Sequence, residues 1–190
     1  MRAFNLAILT LGTGWLVSPA HAAVEPVASF ATGFAHPVLG IDHVLAMVTV
    51  GVWGVFAGGR ALWVWPAVFV STMLTGFAAA TLGLQLPGVP AVVAASIIVL
   101  GLMVALAVRA PLWLGAALIG LFAFFHGHAH GTEAIAGSLI AYGAGFALAT
   151  AGLHAAGIGL ALAVEGSIGK LAVQALGALT VLGGLALIGA

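Results

Sequence analysis

The chain has 190 residues, 64% of them hydrophobic and 4% charged, with a mean hydropathy of +1.31. A soluble domain carries about 25% charged residues, so this composition cannot cover a water-facing surface and indicates an integral membrane protein. Net charge is zero with no basic block, which removes nucleic acid as a partner, and the lack of Cys leaves only N and O donors for any metal.

The N-terminus reads as a secretory leader of residues 1–22, with an uncleaved first transmembrane helix as the alternative. Arg2 is a minimal charged start and Ala3 to Val17 a short apolar run that ends in Ser18-Pro19. Ala20-His21-Ala22 then gives a small-x-small site before Ala23. Beyond it, residues 23–190 are expected to form a six-helix transmembrane domain, each span about the 20 residues needed to cross a ~30 Å hydrocarbon core. The spans fall near 29–57, 61–83, 90–108, 112–131, 135–162 and 168–188. Their apolar runs are continuous, whereas barrel strands alternate with a period of two, so the predicted fold is all-α. Arg60, Arg109 and Lys170 lie in the first, third and fifth loops. The positive-inside rule makes those loops cytoplasmic and puts the mature N-terminus and the C-terminus outside. The 28 glycines point to close helix packing. Trp53, Trp63, Trp65 and Trp113 lie near span ends and are expected to act as interfacial anchors.

Two polar islands interrupt the apolar runs. The first is His36-Pro37-Val38-Leu39-Gly40-Ile41-Asp42-His43. A carboxylate near a bilayer centre costs roughly 2.5–3.5 kcal/mol on insertion scales, so Asp42 calls for a cation, water or a counter-charge. His36 and His43 share a helix face, but about 10 Å of rise separates them on an ideal helix. Pro37 removes a hydrogen bond to the carbonyl of Gly33, and Gly40 is a second weak point, so a kink or local unwinding is predicted here. The second island is His126-Gly127-His128-Ala129-His130-Gly131-Thr132-Glu133. His126 and His130 are one turn apart, the spacing at which two imidazoles chelate one ion, and Glu133 follows on the same face. His128 points elsewhere on a helix. Gly127 and Gly131 allow another helix to approach closely. In the predicted topology both islands lie in the outer half of the membrane. His154 and Glu165 lie further in, as an inner-side pathway.

The islands also carry a resemblance. His36-Pro-x-x-Gly-x-Asp42-His43-x-Leu45-Ala46-Met47 and Phe125-His126-Gly127-His128-Ala129-His130-Gly131-x-Glu133 resemble the two signatures of the HupE/UreJ family. The likeness extends to chain length, leader and six-span layout. It implies a bacterial inner-membrane permease for nickel, with cobalt as an alternative, tied to hydrogenase or urease maturation. It also implies that His36, Asp42, His43, His126, His130 and Glu133 are the functional polar residues.

Imidazole and carboxylate suit nickel, cobalt, zinc and copper alike, so donor chemistry alone does not select the ion. Protons compete with metal for imidazole near neutral pH, which suggests coupling between ion and proton movement. No GxxxxGK[ST] motif is present to power transport by ATP. The expected path runs from His128, His130 and Glu133 at the mouth to a central site of His36, Asp42, His43 and His126. It then passes inward by His154. Three spans per half would give any internal repeat inverted topology. The ion is cargo, with no permanently bound cofactor, the lipid bilayer is the surrounding partner, and a homo-oligomer is compatible with the sequence. Two other classes fit the same donors: an intramembrane zinc-dependent hydrolase with Glu133 as base, and a haem carrier with two axial His.

Overall fold

A computed structural model describes residues 19–134, 137–164 and 166–189. The expected leader of residues 1–22 lies outside these residues except for Pro19–Ala22, which open the first helix, and Glu165 lies outside them too. The described residues form seven helices and no strand: α1 (Pro19–Leu39), α2 (Ile41–Ala57), α3 (Ala61–Thr81), α4 (Val89–Ala105), α5 (Leu112–Glu133), α6 (Leu139–Ala163) and α7 (Gly166–Gly189). The all-helical multi-pass character expected from composition is thus present. By length and hydropathy, α3, α5, α6 and α7 each suffice to cross a bilayer. Helices α1 and α2 make a fifth crossing if their bent pair is one broken span. The 17 residues of α4 reach about 25 Å at 1.5 Å per residue, short of a ~30 Å core.

The bend between α1 and α2 is 78°. It falls at Gly40, while Pro37 stays inside α1. Gly40 has extended backbone (φ −82°, ψ 112°) and serves both helices at once. Its N–H donates to the His36 carbonyl, and its own carbonyl accepts from the N–H groups of His43 and Val44. A Cβ here would press on His43 Nδ1 and Asp42 Oδ1 at 2.8 and 2.9 Å. The backbone angles are open to any residue, and it is the missing side chain that keeps room for the first island.

Four helix pairs carry the packing, α3/α5, α4/α7, α1/α6 and α2/α6, and reciprocal glycines join them. On α3/α5, a Cβ at Gly76 would overlap the Phe124 carbonyl, and one at Gly127 the Met73 carbonyl. Gly51 and Gly157 do the same between α2 and α6, against the carbonyls of His154 and Val48. Such contact brings backbones together where lipid offers no hydrophobic drive to associate. Exchanging α2, α3 and α4 for α5, α6 and α7 carries α2/α6 onto α5/α3, α4/α5 onto α7/α2, and α4/α7 onto itself. The same exchange does not carry α2/α3 or α2/α4 onto comparable packing of α5 with α6 or α7, so the described residues do not divide into two matching halves.

Two of the four tryptophans expected as anchors are not interfacial. Trp53 and Trp65 are fully buried, with ring centroids 4.3 Å apart. Their indole N–H groups donate to the carbonyls of Val108 and Leu112 at 2.8 and 3.0 Å. They stitch α2 to the connection between α4 and α5, and α3 to the start of α5. Trp63 and Trp113 are exposed, as an anchor requires. Position near a span end predicts membrane depth, but it does not separate lipid from protein interior.

Candidate metal site

The bend at Gly40 and the close α3/α5 packing bring both islands to one place. Imidazoles from α1 (His36), α2 (His43) and α5 (His126, His130) form a single cluster. Ring centroids lie 4.5 Å apart for His36–His130, 4.3 Å for His43–His130, 5.2 Å for His43–His126 and 6.1 Å for His36–His43. His43, His126 and His130 are buried, His36 is partly open and Glu133 is exposed.

Donor and acceptor rules order the protons in this cluster. Asp42 Oδ1 lies 2.7 Å from His43 Nδ1, and a carboxylate only accepts, so His43 carries its proton on Nδ1. Its Nε2 then bears a lone pair, which faces His130 Nε2 at 2.5 Å. His130 is therefore the donor on that side, and its Nδ1 is left with a lone pair. That atom is buried and has no hydrogen-bond partner among the described residues. It stands 3.9 Å from Glu133 Oε2, which is itself 3.6 Å from His36 Nε2. Ligand atoms of His36, His130 and Glu133 all lie within 4.8 Å of one another. A carboxylate that fixes a histidine tautomer behind a metal ligand is a recurrent support for metal sites. Here Asp42 acts through two imidazoles in series.

His126 is set in the same way by a residue that sequence reasoning missed. Ser96 Oγ donates its one proton to the Val93 carbonyl at 2.6 Å, so it accepts from His126 Nε2–H at 2.8 Å. His126 Nδ1 is left buried, unpartnered and bearing a lone pair. Ser96 is the one polar residue of α4, a signal of the same kind as the islands but weaker, because a lone Ser is cheap in a helix.

His128 is not brought to the cluster. Its Nε2–H donates to the Leu84 carbonyl at 2.8 Å and ties α5 to the connection between α3 and α4. His36, expected deep in the central site, instead lies at the open end with His130 and Glu133. His154 is buried on α6, away from the cluster, with its ring against Phe69. A cavity of about 260 Å³ reaches Asp42, His43, His130 and Glu133, walled by Val93 and Ile97 of α4. It has room for a cation with water around it, at about 30 Å³ per water. A second cavity of about 350 Å³ reaches His36 and Glu133 from the α1/α6 side.

Comparison with known proteins gives two matches. The family model described as HupE / UreJ protein matches residues 9–187. Protein HupE of Rhizobium leguminosarum bv. viciae is 39% identical over 185 residues, which cover 97% of this chain and 95% of the relative. No solved structure matches.

Proposed function

The chain belongs to the HupE/UreJ family, and on that footing we propose that it is a secondary permease carrying Ni²⁺, or Co²⁺, inward across the bacterial inner membrane. One observation supports this reading above the others. The Asp42–His43–His130 chain leaves the Nδ1 lone pair of His130 facing His36 and Glu133 at a cavity mouth. Three N and O donors capture a borderline divalent ion, and the absence of thiolate keeps its release feasible. His36, His130 and Glu133 form the capture site. His126, oriented by Ser96, supplies the next free donor inward, and His43 Nε2 joins it once the His130 N–H turns away. His128 holds the neighbouring loop rather than the ion. Glu133, being exposed, is the natural first contact for a hydrated cation.

Radioactive nickel uptake in cells lacking their own nickel importers tests the reading, with Co²⁺, Zn²⁺ and Mn²⁺ as competitors. Uptake above vector-only cells, suppressed most strongly by Co²⁺, is the expected result. Uptake no higher than in vector-only cells would overturn it.

A further inference from the structure

Two buried imidazoles lie outside the cluster: His128, bonded to the Leu84 carbonyl, and His154. His154 is 1% exposed, and neither its Nδ1 nor its Nε2 has a hydrogen-bond partner among the described residues. A buried polar group left unsatisfied costs about 1–3 kcal/mol. A histidine kept only for packing would ordinarily bond a backbone carbonyl, as His128 does with Leu84. Phe69 of α3 contacts this ring edge-on, with centroids 4.9 Å apart. The same Phe69 ring lies 5.9 Å from His126. Phe69 is fully buried and thus bridges the imidazole cluster and His154.

The surroundings extend the pattern. One turn along α3 from Phe69 is Met73, whose Sδ accepts from Thr150 Oγ1 at 3.6 Å, and Thr150 is one turn from His154 on α6. One turn the other way is Trp65, paired with Trp53. The α3 face past the cluster is therefore closed by buried side chains, with His154 as its one unpartnered nitrogen ligand. The backbone around it is fixed, since Gly51 of α2 lies hard against the His154 carbonyl.

We propose that His154 is a second ion-binding station, reached from the four-imidazole cluster past the ring of Phe69. It takes a divalent ion of the class imidazole prefers, Ni²⁺ or Co²⁺. The proposal rests on the permease reading and adds to it a discrete inner stop and the aromatic ring before it. Side-chain rotation of Phe69 is the smallest movement that would join the two stations.

Whole-cell nickel uptake is measured for wild type, His154→Phe, His154→Cys and His130→Ala at matched membrane levels. His154→Phe keeps an aromatic ring against Phe69 but removes both ligand nitrogens, and it lowers uptake about tenfold or more. His154→Cys introduces the single thiol of the chain, since the protein has no Cys. A soft thiolate holds Cd²⁺ tightly, so Cd²⁺ blocks nickel uptake by this variant at about a tenth of the concentration that blocks wild type. A packing role would not move that ratio. Wild-type uptake in both variants, with unchanged Cd²⁺ sensitivity, would overturn the station while leaving the permease intact. Wild type no better than His130→Ala would overturn both together.

Discussion

Replacing Ser96 by Ala tests whether the tautomer of His126 is set from α4. In the native protein Ser96 Oγ accepts from His126 Nε2–H at 2.8 Å in a fully buried position. The rings of His43 and Phe69 hold the imidazole in place, at 5.2 and 5.9 Å, so it cannot swing away to find water. Alanine then leaves two choices. The proton stays on Nε2 without an acceptor, at a cost of about 1–3 kcal/mol. Alternatively it moves to Nδ1 and occupies the lone pair that a metal needs. The first choice lowers stability but leaves the Kd alone, because free and ion-bound protein both carry it. The second weakens ion binding through His126 by about 1–2 kcal/mol, which is about 5- to 30-fold in Kd. Outer-shell partners of metal-binding histidines elsewhere contribute a similar 10- to 100-fold. The assay is competitive nickel titration of purified protein in detergent. A Kd and a melting temperature both equal to those of wild type would refute the role of Ser96.

Asp42→Ala removes the carboxylate behind His43 and His130, and nickel affinity in the same titration falls about 10- to 100-fold; an unchanged Kd would separate Asp42 from the site. Gly127→Ala places a Cβ on the Met73 carbonyl and costs about 1–3 kcal/mol of stability through overpacking, read as a lower melting temperature in detergent. Gly152→Ala is its control, because nothing lies within 4 Å of a Cβ there, and a helical Gly→Ala exchange gains up to about 1 kcal/mol. His128→Ala leaves nickel affinity at the wild-type value and speeds proteolysis between residues 82 and 88, because it frees the Leu84 carbonyl. Trp53→Phe loses the indole bond to Val108, worth about 1 kcal/mol, and lowers the melting temperature without changing ion affinity.

The islands were legible in the sequence because polar residues inside apolar runs are costly and therefore stand out. Helical spacing placed His126, His130 and Glu133 on one face, and α5 does continue through Glu133. The weak point in the first island was legible as well, but its position was not. Pro37 is tolerated within α1, whereas Gly40 must cap one helix, start another and leave space for His43 and Asp42. Only the tertiary fold sets those three demands. His36 was placed by its sequence neighbours, but the 78° bend carries it to the mouth beside Glu133. Hydropathy also fails to say which face of a membrane helix is inside, since lipid and protein interior are both apolar. Trp53, Trp65 and Phe69 therefore looked no different from lipid-facing aromatics. Ser96 and its bond to His126 join residues 30 apart, and no local pattern links them.

The most direct test of the permease reading is nickel uptake into liposomes reconstituted with the purified chain alone. Wild type is compared with Asp42→Ala and His130→Ala at equal protein content, using an enclosed metal-sensitive dye. Wild-type vesicles should fill with nickel without added nucleotide, and both variants should fill no faster than empty liposomes, tying the two islands to one path. Wild-type filling at the rate of empty liposomes, or equal filling by all three proteins, would contradict it.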